Sequence, residues 1–306
     1  MIVVEPGGGS PDHRAAVASV LEGLGLTSIV DVHTHFMPKR VLDKVWAYFD
    51  QVGPLTARKW PIEYRFDEVT RVQRLRDFGV AAFTSLIYPH KPEMAEWLNS
   101  WAAQFAAATP GCLHTATFFP EPQGPAYVRR AIADGARVFK AHVQVGDYSP
   151  VDPRLERVWD VLEEAQVPTI IHAGSGPAPG RFTGPAPVAE LLARHPDLKL
   201  IIAHMGMPEY REFLDLAQQF TGVYLDTTMV FTDFTEELNP YPVGALADLV
   251  QISDKVLFGS DYPNIPYPYH RGIDAIVGLG LGDEWCRKVL RSNAATLFDL
   301  ELTSSL

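Results

Sequence analysis

Residues 29–38 run IVDVHTHFMP. An apolar stretch of strand character passes straight into two histidines, His33 and His35, one residue apart. That junction separates two architectures. An open doubly wound sheet carries a glycine-rich turn after its first strand. A closed (β/α)8 barrel instead collects its chemistry at the C-terminal ends of its strands. Here the turn carries imidazoles.

Further along the chain, short apolar runs alternate with segments of helical periodicity. The candidate strands are IVDVH, VAAFTSLI, CLHTATFF, RVFKAHVQ, PTIIH, LKLIIAH, GVYLD and KVLFGS. They are apolar nearly throughout, as parallel strands covered on both faces must be. Between them, FDEVTRVQRLRDFG places Val69, Val72, Leu75 and Phe78 at helical spacing, with Gly79 set to end the helix. DPRLERVWDVLEEAQ opens with the Asp-Pro of a helix start. Eight β/α units predict an α/β fold, a (β/α)8 TIM barrel forming a single domain over residues 1–306. Residues 1–28 form an N-terminal extension, helical over PDHRAAVASVLEGLGL. Residues 36–66 form an aromatic-rich insertion after strand 1, placed over the barrel mouth.

Bulk properties narrow the partners. The 306 residues are 47% hydrophobic and 21% charged, with a formal net charge of −11. No cluster of lysine and arginine stands out, so nucleic acid and anionic membranes are not expected partners. No apolar run approaches the roughly 18 residues that span a bilayer, and the N-terminus lacks a signal-peptide pattern. The two cysteines, Cys112 and Cys286, form no disulfide framework. A cytoplasmic protein acting on a small molecule is the expectation.

The strand ends carry the chemistry. His33 and His35 end the first strand, Lys140 and His142 the fourth, His172 the fifth, His204 the sixth, Asp226 the seventh and Asp261 the eighth. Residues i and i+2 of a strand share a face, about 6.5–7 Å apart, so His33 and His35 are placed to converge on one cation. Imidazole and carboxylate donors suit zinc, with manganese, iron or cobalt as alternatives. No cysteine sits at a strand end, which excludes a closed thiolate site. His13, His90, His114, His195 and His270 are read as ordinary structural histidines.

DVHTHFMP, GARVFKAH, PTIIHAG, LIIAHMG, VYLDTT, VLFGSDYP and SNAATLFDL occur in this order. The set resembles the amidohydrolase superfamily, and most closely its amidohydrolase-related branch of metal-dependent hydrolases, lactonases and aromatic-acid decarboxylases. The likeness spans about residues 29 to 300. It implies that His33, His35, His172 and Asp261 surround one divalent metal. His204 then either binds a second metal or polarises the substrate and moves protons. Lys140 has two roles open to it: a ligand for a substrate carboxylate beside one metal, which is preferred, or a carbamylated bridge between two. His142 shares the face of Lys140, and Tyr262 and Asn264 follow Asp261 in the proline-rich run YPNIPYPYH; all three are candidate substrate contacts. Arg181 in PAPGRFTGPAP is read as a surface residue. Many relatives assemble as dimers or larger, so a homo-oligomer stays open.

The first functional expectation is hydrolysis of a small lactone, ester or amide through a metal-activated water, with Asp261 as general base and His204 assisting. The second is non-oxidative decarboxylation of an aromatic or enol-like acid at the same centre. The third is a barrel without catalysis.

Overall fold

The apolar runs form short parallel strands in a computed structural model that describes residues 11–51 and 58–302. They are β1 (Ile29–Asp31), β2 (Val80–Thr84), β3 (Cys112–Leu113), β4 (Thr115–Thr117), β5 (Val138–His142), β6 (Thr169–His172), β7 (Leu200–Ile202), β8 (Val223–Asp226) and β9 (Val256–Leu257). Every neighbouring pair is parallel and in sequence order, in an arc β1–β2–β3 and an arc β4 to β9. β3 and β4 are one barrel strand interrupted at His114. The two ends of the chain of strands meet. Val32 donates its N–H to Phe258 O at 2.9 Å and Asp261 donates to His33 O at 2.8 Å. Thr34 bridges Tyr262 in parallel. The fold is a (β/α)8 barrel, and its closing seam lies between β1 and β9.

The longer helices are α1 (Pro11–Gly23), α2 (Lys39–Gln51), α3 (Glu68–Asp77), α4 (Ala95–Ala108), α5 (Gly124–Ala133), α6 (Glu156–Ala165), α7 (Pro185–Arg194), α8 (Tyr210–Gln219) and α9 (His270–Gly278). Their ends follow local chemistry. Asp67 caps α3 by accepting from Thr70 N at 2.9 Å, and Gly79 follows its C-terminus at φ +75°, where a side chain is disfavoured. Asp152 accepts from Arg154 N at 2.9 Å and starts the 3₁₀ turn Pro153–Leu155 that leads into α6. After β8 the expected helix shrinks to the turn Asp233–Glu236 and the short Leu246–Gln251.

Two faces of the strands explain their composition. Val30, Ala82, Leu113, Val138, Ile170, Ile201 and Leu257, one from each of seven strands, meet in one buried cluster, which is the barrel interior. Phe83, Phe139, Ile171, Leu200, Ile202 and Leu225 pack the other way, with Trp159, Leu191 and Phe213 of the helices. With both faces dry, burial of each large apolar side chain contributes about 1.5–3 kcal/mol.

This alternation aims the functional residues. Lys140 and His142 continue the inward face of Val138, His172 that of Ile170, and Asp261 that of Leu257. β1 departs from the rule. Strict alternation from Val30 would turn His33 and His35 outward, but the chain leaves the strand at Asp31 and bends at Val32. Among the described residues, no helix is long and apolar enough to cross a membrane.

Candidate active site

At the C-terminal end of the barrel, side chains from five strand ends meet at the floor of a cavity of about 850 Å3. His33, His35, Lys140, His142, His172, His204 and Asp261 all line it. The closest convergence is of His33, His204 and Asp261, whose ligand-capable atoms lie within 4.8 Å of one another. Asp261 Oδ1 is 2.9 Å from His35 Nε2 and 3.6 Å from His33 Nε2. The rings of His33 and His204 are 5.0 Å apart and those of His172 and His204 4.9 Å. The structure thus brings His204 closer to His33 and Asp261 than the sequence implied, and sets His172 beside it, stacked on His142 at 4.2 Å.

The hydrogen bonds fix which nitrogen of each ring carries its proton. Nδ1 of His33 donates to Asp226 Oδ2 at 2.9 Å, Nδ1 of His35 to Leu86 O at 2.9 Å, and Nδ1 of His204 to Thr228 O at 3.0 Å. In His172 it is Nε2 that donates, to Gly176 O at 2.9 Å. Carbonyl and carboxylate oxygens only accept, so the remaining nitrogen of each neutral ring presents a lone pair. For His33 and His35 that lone pair faces the Asp261 carboxylate. Acceptor against acceptor at 2.9 Å requires a positive charge between them.

Those separations are a test of whether a metal ion fits. Two ligands bound at about 2.0–2.1 Å lie about 3 Å apart at a right angle and about 3.4 Å apart at a tetrahedral angle. The contacts of 2.9 and 3.6 Å bracket these values. The donor set fits a divalent cation.

Burial sets the electrostatics. It holds the imidazoles of His33, His142 and His204 well below their usual range, with neighbouring His and Lys charges adding to the effect. His172 is brought down to about 4, first by burial and then by Lys140. Lys140, fully buried with Nζ 3.5 Å from His33 Nε2, falls to about 8 because burial outweighs the attraction of Asp226 and Asp261. Beneath the floor, burial raises Asp31 to about 7 against hydrogen bonds from Ser260, Tyr269 and His33.

Backbone geometry aims two of these groups. His204 and Asp261 have φ of 53° and 73°, the left-handed region that costs most L-residues about 1–2 kcal/mol and that His, Asp and Asn tolerate best. In His204 this turn carries the ring past the position that Ala203 occupies on the inward face. Asp226, given no role from sequence, is the orienting group: besides His33, it accepts from His204 N at 2.9 Å and Thr228 N at 3.1 Å.

Other candidate residues divide. Asn264 lines the cavity, its Oδ1 accepting from Trp46 Nε1 at 3.0 Å. Tyr262 does not. Its ring is fully buried against Tyr64, Phe36 and Tyr269, and its hydroxyl donates to Arg71 O at 3.0 Å. Packed among those rings, it stays out of reach of a substrate. Arg181 lies over Phe182 away from the cavity lining. His90, read as structural, lines the mouth, as does Trp97, while Tyr88 lies deeper, its ring 4.8 Å from that of His142 and 5.8 Å from that of His35. Tyr88 sits two residues past Leu86 on the inward face of β2, a parity signal that the sequence did contain. Trp97 and Arg40 are brought together by tertiary packing alone.

The sequence matches the family model described as amidohydrolase over residues 30–300. A direct comparison with curated proteins yields no match. Among solved structures, the chain is similar to an uncharacterised TIM-barrel protein from Bordetella bronchiseptica, with 18% identity over 89% of this chain and 98% of that one, TM-score 0.71. It is similar to a 2,6-dihydroxybenzoate decarboxylase complexed with 2,6-dihydroxybenzoate, with 18% identity over 90% and 100% of the two chains, TM-score 0.66. A 5-carboxyvanillate decarboxylase from Novosphingobium aromaticivorans, complexed with manganese and a nitrobenzoic acid, shares 14% identity over 90% and 97%, TM-score 0.62. At such identities these likenesses speak for the fold.

Proposed function

The chain belongs to the amidohydrolase family, and from that membership we propose that it is a metal-dependent hydrolase of a small carboxylic-acid-type substrate, a lactone, ester or amide. The observation that carries this reading is the set of lone pairs on His33, His35 and His204, gathered with the Asp261 carboxylate on the cavity floor. Imidazole lone pairs and a carboxylate gathered on one floor make a ligand set for a divalent cation, and the carboxylate oxygen left over is placed to take a proton from water, the step with which hydrolysis begins.

His33, His35 and Asp261 would hold one divalent cation, with His172 or His204 completing the set. The histidine majority favours zinc, while manganese is the ion recorded in the Novosphingobium decarboxylase. When bound, the ion polarises the reacting carbonyl and lowers the pKa of water. The protein's own groups do the rest. Lys140 neutralises the substrate carboxylate. Asp261 Oδ1, which faces the Nε2 lone pairs of His33 and His35, would be taken up with them in holding the cation, and Oδ2 takes the proton from the attacking water. The same oxygen returns it to the leaving oxygen or nitrogen, and where His172 is the residue that completes the ligand set, His204 Nε2 shares that traffic. Tyr48 and Phe49 of α2, together with Trp60, cover the substrate.

Decarboxylation is the second reading. The flat, aromatic lining of Phe49, Trp60, Tyr88 and Trp97 favours it, as do the decarboxylase neighbours. Asp261 or His204, first protonated from solvent, would then deliver that proton to the ring carbon, and as the bond to the carboxylate breaks and carbon dioxide leaves, its electron pair returns to the ring.

Product decides between the two. The chain, with its metal quantified by elemental mass spectrometry, is offered aryl lactones and esters and, separately, carboxyl-labelled hydroxybenzoates. Acid release supports hydrolysis; labelled carbon dioxide supports the second reading. Asp261→Asn keeps a residue that accepts φ of 73°, so the fold should survive while turnover falls on the order of a thousandfold. Unimpaired turnover by this variant, or a chain that retains no divalent metal, overturns the proposal.

A further inference from the structure

The mouth of the cavity carries charge that the floor chemistry does not use. The lining includes Arg40 and Lys44 on α2 and Lys91 on the loop before α4, all exposed. With Lys140 at the floor, four cationic side chains face two carboxylates, Glu93 and Asp261. The whole chain shows the opposite balance, 26 lysines and arginines against 37 aspartates and glutamates. Chance placement on so acidic a protein would leave a lining with net negative charge.

These rim cations also lack partners. Lys39 on the same helix pairs with Asp43 at 2.7 Å and stays outside the lining. Among the described residues, Arg40, Lys44 and Lys91 make no ion pair with a carboxylate. Arg40 is held instead by the Trp97 ring, 4.3 Å from its centroid, a contact that orients a guanidinium without neutralising it. Unpaired cations collected at one rim favour a fixed anion there, and one oriented on an indole loses little entropy in binding it.

We infer that the substrate is a dianion, typically a dicarboxylate, whose first acidic group reaches Lys140 at the floor while the second is held at the rim by Arg40, Lys44 and Lys91. This rests on the proposed floor chemistry only for the first group. The apolar walls between the two ends, among them Val41, Val45 and Met94, suit the carbon frame that joins them. An enzyme so built discriminates between a diacid and the corresponding monoacid by the rim alone.

Binding to the full chain, measured by calorimetry, tests this with two matched pairs of probes: benzoate with isophthalate, and cinnamate with 4-carboxycinnamate. At least one diacid should bind ten times or more tighter than its monoacid. Arg40→Ala combined with Lys44→Ala and Lys91→Ala should bring that ratio to within about twofold of one and leave the monoacid affinity unchanged. Arg157→Ala, on the exposed face of α6 and outside the cavity lining, should leave the ratio intact and so excludes a general effect of net charge. Lys140→Met reports on the floor separately: it should weaken the monoacids. If monoacids bind and depend on Lys140 but the diacids gain nothing, or the gain survives the rim substitutions, the floor stands and the rim inference falls. If none of the four acids binds, both fall.

Discussion

Asp226 is the residue on which most of the site's geometry turns. One carboxylate oxygen takes the Nδ1 proton of His33, and the other takes the N–H groups of His204 and Thr228. It therefore fixes the tautomer of one proposed ligand and the backbone of another. In Asp226→Asn, the amide oxygen can keep the backbone bonds, but the amide nitrogen would face a nitrogen that must then stop donating. The His33 proton would move to Nε2, into the position where a cation needs the lone pair. Metal affinity should fall about 10- to 100-fold with the fold retained, measured by competition against a chelating dye; unchanged affinity would refute the orienting role. Gly259 matters for space. A Cβ there would lie 2.1 Å from Thr228 Oγ1 and 2.7 Å from His33 Cβ. Gly259→Ala should cost about 1–3 kcal/mol in urea unfolding and weaken metal binding by displacing His33. Residue identity made His33, His35, His172, Lys140 and Asp261 legible in the sequence, because strand ends of a barrel are where ligands are sought. Asp226 was legible as a position but not as a role, since an orienting bond exists only between two segments 193 residues apart. Tyr262 misled because adjacency to Asp261 says nothing about which way the next ring points.

Among the elements, the strands were legible and their irregularities were not. Apolar runs of four to eight residues announce a parallel strand buried on both sides. Periodicity cannot show the break at His114 that divides β3 from β4, or the bend at Val32 that turns the first histidines inward. Both are met by partners from other strands: Ser85 N donates to Thr115 Oγ1 beside the break, and Val32 N to Phe258 O at the bend. Parity within β3 does have a chemical consequence. Leu113 faces the barrel interior, so Cys112 packs outward against the helices. Burial there pushes its thiol up to about 12 from an ordinary value of 9.0. The folded chain thus holds this proton more tightly than the unfolded chain. The associated stability is whole below pH 9 and is lost as pH climbs towards 12. At pH 8 the thiolate fraction should be about a thousandfold lower in the native protein than in the denatured one. Iodoacetamide labelling, followed at the Cys112 peptide under native and denaturing conditions, should show a difference of that order. Equal rates would mean that β3 is open to solvent.

For the molecule as a whole, the proposed cation sits where the barrel closes. β1 and β9 are among its shortest strands, and they are joined by few contacts: Val32 to Phe258, Asp261 to His33, His35 to Tyr262, and the Asp31 carboxylate taking Ser260 N at 3.1 Å. His33 and His35 follow the first strand and Asp261 follows the last. An ion held by all three is a bond across the seam, made in the folded chain and not in the unfolded one. At a thousandfold excess over its dissociation constant, such a ligand stabilises by about 4 kcal/mol, which for a chain of this size is a rise in Tm of roughly 5–10 °C. Stripping with a chelator and restoring zinc or manganese should reverse that shift. Amide exchange should slow most at Val32, His35 and Asp261, because local opening at the seam then requires the ion to leave. Asp261→Asn should abolish most of the gain while the metal-free Tm stays close to that of the metal-free parent. A rise in Tm with uniform protection around the barrel would instead place the ion away from the seam, and no rise at all would leave the lone pairs of His33 and His35 with only a proton to share.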